Sequence, residues 1–340
     1  MGRQTAFALA VMTALGWTFA ARADAIEEFY RGRTITVTIP AETGGGYDLY
    51  ARLMMRYLGH YIPGDPSFIT KYMPGSGGIK AANYMYNVAP KDGSEISIPL
   101  ASIVVAQLIQ PDRVRFDAAK FSWIGTIAEL NTVVSVWHGQ GVSNLDDAKK
   151  HEIALGGTGK GSFLFQQPML LNALLGTKFK VVLGYKGTAD LDIAIERGEV
   201  GGRAQFWASW KANRPDWLSQ GKLVHVVQVG RTKIPELSNV PSFADLVKTD
   251  RERSMIDFLY INTAMGRTLS APPDIPAERL AALRKGVDGL VKDAAFLAEM
   301  DKRKLPVSPA SGEELAAFVK RVLATPPAVV AELQKTLGLK

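Results

Sequence analysis

Three glycine-rich stretches carry the residues with the most chemical potential in this chain: Thr43-Gly-Gly-Gly-Tyr-Asp48, Pro74-Gly-Ser-Gly-Gly78 and Gly156-Gly-Thr-Gly-Lys-Gly-Ser162. A plain turn needs one residue with positive φ, so runs of glycine imply close approach of something to the backbone. Each run is preceded by a β-branched or apolar segment and followed by a helical pattern, which places its free N–H groups at a helix start. There the unpaired donors and the positive end of the helix dipole accept an anion. The chemistry on offer is therefore the capture of a small negative group by main-chain donors.

The nucleotide-binding versions of that chemistry do not fit. A Walker A loop ending at Gly159-Lys160 would need glycine where Ala154 stands and Ser or Thr where Gly161 stands, and Gly157, Gly159 and Gly161 break the dinucleotide spacing. Catalytic and metal chemistry have no sequence signal either. His60, His138, His151 and His225 lack metal-ligand spacing and read as structural, and Ser162 sits outside a Gly-x-Ser-x-Gly elbow and reads as a helix N-cap. No cysteine occurs, so neither a thiol nucleophile nor a disulfide framework is available. Asp190 and Asp192 fall in a predicted helix over 188–196 with their side chains in solvent. Trp207, Trp210 and Trp217 read as core, and Arg203, Lys160 and Lys186 as solvated side chains or, alternatively, charge partners of an anion.

The elements that position these loops alternate. Thr34–Ile39 reads as a strand, and Leu49, Leu53, Met54, Tyr57 and Leu58 share one helical face behind it, with Asp48 in the first turn. Phe68–Tyr72 leads into the second glycine run and a helix from about Ile79 to Val88. Ile153–Leu155 leads into the third and an apolar helix to about Leu175. Glu95–Leu100 before Ala101-Ser102, and Phe179–Leu183 before Tyr185-Lys-Gly-Thr188, repeat the scheme with less glycine. Such alternation predicts α/β architecture with parallel sheets, whose carboxyl-end loops line a ligand crevice.

The N-terminus carries Arg3, an apolar stretch Ala6–Ala20, and small residues at the Ala21-Arg-Ala23 and Ala23-Asp-Ala25 spacings, the pattern of a secretory signal peptide over residues 1–25. The formal charge is +7, and +6 once Arg3, Arg22 and Asp24 are removed, with Lys and Arg dispersed among acids. That dispersal argues against nucleic-acid binding and suits small anions. About 315 mature residues are enough for two domains. In the C-terminal region, Ser311-Gly-Glu-Glu314 reads as a capping box.

Pro40-Ala-Glu-Thr-Gly-Gly-Gly-Tyr-Asp-Leu-Tyr-Ala-Arg52 resembles the signature of the tripartite tricarboxylate transporter receptor family (TctC, or Bug). The resemblance continues in order through Met73–Gly78, Ala89-Pro-Lys-Asp-Gly93, Gly159–Ser162, Tyr185-Lys-Gly187, Leu237–Ser242 and Ala271–Pro276. It implies an α/β, two-domain periplasmic-binding-protein fold of the type II, Venus-flytrap kind, with domain 1 at 26–128 plus 230–340 and domain 2 at 129–229. It further implies a monomeric, non-enzymatic receptor without cofactor or metal. Such a receptor closes on a small organic acid and delivers it to a two-component membrane permease. Carried onto this chain, the ligand-binding residues are Thr43, Gly44, Gly45, Gly46, Tyr47, Asp48, Gly75, Ser76, Gly77, Ser102, Thr158, Gly159, Lys160, Gly161, Ser162, Phe163, Tyr185 and Gln205.

Departures from the family pattern bear on the ligand. Tyr47 stands where many relatives have Ser or Thr, Phe163-Leu-Phe165 where they often continue with Ser and His, and Gly201-Gly-Arg-Ala-Gln205 where an acidic, apolar run is usual. With Tyr47 and Phe163 facing the cleft, an aromatic or less polar carboxylate is expected over a citrate-like polyanion. A receptor for an ATP-driven importer, a sensor, or a secreted enzyme acting on a small organic acid remain alternatives at the level of sequence.

Overall fold

A computed structural model describes residues 25–230 and 232–339. The signal-peptide reading falls on residues 1–24 and so lies outside the described residues. Among the described residues no helix is long and apolar enough to cross a membrane.

Two sheets organise the chain. The first has six strands: β1 (Thr34–Ile39), β2 (Ser67–Tyr72), β3 (Glu95–Ser97), β4 (Ser122–Thr126), β10 (Thr268–Ala271) and β11 (Ala310–Ser311), in the order β11-β4-β10-β3-β1-β2. The second holds β5 (Thr132–Trp137), β6 (Ile153–Gly157), β7 (Phe179–Leu183), β8 (Gly202–Phe206) and β9 (Leu223–Val229), in the order β7-β6-β8-β5-β9. We refer to the two halves as the first and second lobes.

The sheets are mixed, not wholly parallel as the strand–helix alternation predicted. β1 pairs in parallel with β2 and β3, and β6 with β7 and β8, as strand–helix–strand units require. However, β10 runs antiparallel to β3 and β4, and β5 antiparallel to β8 and β9. The reversals occur on the strands that flank the passages between sheets, where the chain re-enters from the other lobe. Local periodicity carries no record of that direction.

The passages lie side by side. The Ile127 N–H donates to Arg267 O at 2.8 Å and the Arg267 N–H donates to Ala128 O at 2.9 Å, with Leu130 N–H to Thr263 O beside them. A β-carbon on Gly266 would sit 2.6 Å from Ala128 O, so the two segments pack at main-chain distance. This paired crossing joins the two lobes.

Helices follow where expected. Gly46–Leu58 buries Tyr50, Ala51, Leu53, Met54 and Leu58 on the first sheet, while Phe163–Leu175 buries Phe163, Leu164, Phe165, Leu170 and Leu171. The helix Ile79–Asn87 matches its predicted span to within a residue, and Thr188–Glu196 matches it fully. The strand expected over 95–100 is shorter, ending at Ser97, because Leu100–Ser102 turn into the helix Ile103–Ile109. The Ser311–Glu314 capping box is present. Trp210 and Trp217 are fully buried and stack at 5.7 Å, as core.

Candidate functional site

The first glycine loop is shaped by a carboxylate. Gly44, at φ +84°, donates its N–H to Asp48 Oδ2 at 2.8 Å. Tyr72 donates its hydroxyl to Asp48 Oδ1 at 2.6 Å, and Arg52 Nη2 pairs with Oδ2 at 2.7 Å. Asp48 is fully buried, so both its oxygens are committed to the protein. The residue expected to touch a ligand instead holds the loop that would. Gly45 stands at the N-cap of the Gly46–Leu58 helix in extended conformation, and that helix start has no side-chain cap. Its leading N–H groups stay available for an anion.

The second loop is a main-chain nest. Gly75, Ser76, Gly77 and Gly78 have φ of +135°, +50°, +63° and +93°, a left-handed run that only a glycine-rich sequence sustains. The third loop comes from the other lobe and meets it backbone to backbone. A β-carbon on Gly159 would lie 2.6 Å from Gly77 N and 2.8 Å from Ser76 C, and one on Gly77 would lie 2.6 Å from Ser162 N. Glycine is thus required for contact across the lobes as well as for local conformation.

The first loop makes a matching contact with the loop after β7. A β-carbon on Gly45 would lie 2.8 Å from Thr188 Oγ1, and one on Gly187 would lie 3.2 Å from Glu42 N. Lys186 Nζ stands 3.5 Å from Glu42 Oε1, and Asn213 donates to Gly44 O at 3.4 Å. The lobes are closed on one another, with all three glycine loops at the junction.

Beneath the loops lie aromatic rings. Tyr47 meets Phe206 at 6.3 Å edge to face and Phe163 meets Phe206 at 4.9 Å, all three buried. Burial pushes the Tyr47 hydroxyl pKa up, with Arg267 beside it pulling the other way. The Arg267 guanidinium lies 4.1 Å from the Tyr47 ring centroid, 4.6 Å from Phe206 and 4.9 Å from Tyr50. Its Nη2 donates to Ser209 Oγ at 3.1 Å and its Nη1 to Gly266 O at 2.8 Å.

Polar atoms in this region are left without protein partners. Ser102 Oγ, Thr158 Oγ1 and Gln205 Nε2 are buried and unpaired, as are Gln166 Oε1, Gln167 Nε2 and Arg267 Nε. Buried polar groups are ordinarily satisfied by protein or ordered water, so this set has hydrogen-bonding capacity to spare, as do Gln110, Asn262 and the indole N–H groups of Trp207, Trp210 and Trp217 elsewhere. Ser162 Oγ accepts from the Leu164 N–H at 3.1 Å, the N-cap role read from the sequence. Thr43, Gly44, Ser76 and Lys160 are exposed at the rim, and Tyr185 is half-buried. Among the described residues no group of three His, Asp or Glu could hold a metal ion.

Two charge readings are corrected. Asp192 does not face solvent: it is buried and accepts from Arg203 Nη2 at 2.6 Å and Nε at 3.0 Å. Arg203 is correspondingly buried, not solvated, and lies over the Trp210 ring at 4.0 Å. The pair ties the Thr188–Glu196 helix to β8 and leaves neither charge free for a ligand. Lys160 and Lys186 are exposed, as expected. Arg267, Phe206, Ser209 and Thr188 were missed by sequence reading, because their relation to the loops is made only by tertiary packing.

No protein-family model matches the chain, and no curated protein matches its sequence. Solved structures do. The periplasmic binding protein BugD superposes with a TM-score of 0.74 at 19% identity, over 92% of this chain and 99% of its own. The protein has the fold of a periplasmic binding protein. Two further neighbours of that fold are Rpa4515 of R. palustris with adipate and MatC from Rhodopseudomonas palustris with bound malate. Rpa4515 has a TM-score of 0.70 at 21% identity, covering 90% of this chain and 97% of that one. MatC has 0.69 at 18% identity, covering 90% and 99%. The two-lobed periplasmic-binding-protein architecture that the family resemblance implied is the one observed.

Proposed function

We propose that this protein is an extracytoplasmic, non-enzymatic solute-binding receptor that captures a small organic carboxylate between its lobes and delivers it to a tripartite tricarboxylate-type membrane permease. In this reading the chain is exported to the periplasm, acts as a monomer, and divides into domain 1 at 26–128 plus 230–340 and domain 2 at 129–229. The observation that carries it is the meeting of glycine loops from both lobes around uncapped N–H groups and the unpaired Ser102, Thr158 and Gln205 side chains. A carboxylate accepts several N–H bonds in a small volume, which such a junction offers. Adipate and malate in two proteins of the same fold support that ligand class.

The buried rings of Tyr47, Phe163 and Phe206 favour a ligand whose body is apolar or aromatic over a polyanion. Closure of the lobes would bury the solute, and the closed shape is what a permease would read.

The test is a thermal-shift screen of refolded, ligand-stripped protein against mono-, di-, tri- and aromatic carboxylates. A ligand at 100 times its Kd adds roughly 2.7 kcal/mol, enough to raise Tm by several degrees. A folded protein that answers none of these acids overturns the reading. A citrate response well above that of aromatic and monocarboxylic acids overturns only the preference for an apolar ligand.

A further inference from the structure

Arg267 is 1% exposed, yet among the described residues no carboxylate lies within ion-pair distance of it. Among the described residues the three buried acids are already committed, Asp48 to Arg52, Tyr72 and the Gly44 N–H, Glu95 to Thr38 and Tyr84, and Asp192 to Arg203. The partners of Arg267 are neutral: the Gly266 carbonyl, the Ser209 and Tyr47 hydroxyls and the faces of Tyr47, Tyr50 and Phe206. Its Nε donor has no partner.

Its position compounds the cost. A β-carbon on Gly46 would lie 2.8 Å from Arg267 Nη2, which puts the guanidinium against the first residue of the Gly46–Leu58 helix. That end of a helix carries positive partial charge and repels a cation. A buried cation set against an uncapped helix N-terminus lacks an anion from two independent directions. Ring faces offset part of the desolvation, but they leave the charge uncompensated. Arg267 also belongs to both lobes at once, since its main chain pairs with Ala128 at the crossing and its side chain reaches Ser209 of the second lobe.

We propose that Arg267 is the counter-charge of the bound solute: an anionic group of the ligand takes the Nε side of the guanidinium together with the leading N–H groups of the Gly46–Leu58 helix. This rests on the receptor reading above and makes that reading specific, because it assigns the solute's charge to one side chain at the crossing between the lobes. The ligand then completes a contact that joins the lobes, so that binding and closure share one electrostatic partner.

The experiment measures Kd by calorimetry and Tm by melting for stripped wild type and Arg267→Met, using adipate, malate and benzoate as probes beside adipamide, malamide and benzamide. Wild type is expected to bind at least one acid and to reject its amide. Arg267→Met is expected to weaken that acid by about 30-fold or more, the usual result of removing one member of a buried charge pair. Its ligand-free Tm is expected to equal or exceed that of wild type, because an unpaired charge has been removed. Acid affinity within about threefold of wild type overturns the assignment while leaving the receptor reading intact. A large fall in ligand-free Tm with unchanged affinity shows Arg267 to be a packing residue and likewise overturns it. Wild type silent towards every acid overturns both. Should Arg267→Met fail to fold, Arg267→Gln keeps polar contacts to Ser209 and Gly266 and is judged by the same affinity criterion.

Discussion

His225 illustrates what one buried side chain does to the pH response. It accepts or donates one hydrogen bond with Ser135 Oγ at 2.9 Å and meets the Trp207 ring at 5.2 Å, on the edge strand β9 of the second sheet. Burial pushes its pKa down from 6.5 to about 4. The folded state therefore favours neutral imidazole, and between those values the unfolded chain binds more protons. The contribution is fully present above pH 6.5 and is lost as pH falls towards about 4, by about 3 kcal/mol at most. Urea unfolding at pH 7 and pH 4.5 should show a larger loss for wild type than for His225→Gln. Equal losses would remove His225 as the source. The sequence reading of His225 as structural was sound because its surroundings, Val224 and Val226, are those of a strand and no partner histidine stood at ligand spacing.

At the scale of elements, Asp48 shows how one acid organises a strand, a loop and a helix. Tyr72 at the end of β2, Gly44 in the loop and Arg52 one turn along the helix all converge on its carboxylate. Asp48→Asn preserves shape but cannot accept equally from all three donors. It should cost about 2 kcal/mol in chemical denaturation and loosen the loop enough to weaken solute binding. Wild-type stability together with wild-type affinity would contradict that role. Strands, helices and glycine loops were legible in the sequence because their signals are local: periodicity, N-cap chemistry and left-handed backbone. The Asp192–Arg203 pair and the antiparallel β5 and β10 were not. Eleven residues separate that pair, and nothing in the helical pattern of 188–196 marks Asp192 as inward-facing until β8 is packed beneath it. Arg267 was silent for the same reason, a lone arginine between Gly266 and Thr268.

At the scale of the whole molecule, the lobes are joined by the paired crossing at Ile127–Ala128 and Arg267 and meet again at Gly77 and Gly159. Gly159 does not need a left-handed φ, so alanine suits its local backbone, but the added carbon would strike Gly77 N at 2.6 Å. Gly159→Ala should accordingly leave the ligand-free melting temperature within about 2 °C of wild type while reducing solute affinity about tenfold or more. Small-angle scattering with ligand should show that variant more open than wild type. Affinity and scattering both unchanged would mean that closure does not depend on this contact.

Side chains yield when a guest is slightly too large, by changing rotamer or shifting their far ends. Main chain pressed on main chain does not. Because the contact at Gly77 and Gly159 is made by backbone atoms on both sides, it is a rigid stop. In the receptor role proposed above, such a stop would work as a gauge: solutes that fit under it would differ from one another in affinity by degrees, whereas one methylene beyond the limit would hold the jaws apart and forfeit the closed state altogether. A homologous series of acids titrated one carbon at a time should therefore end in a cliff instead of a slope.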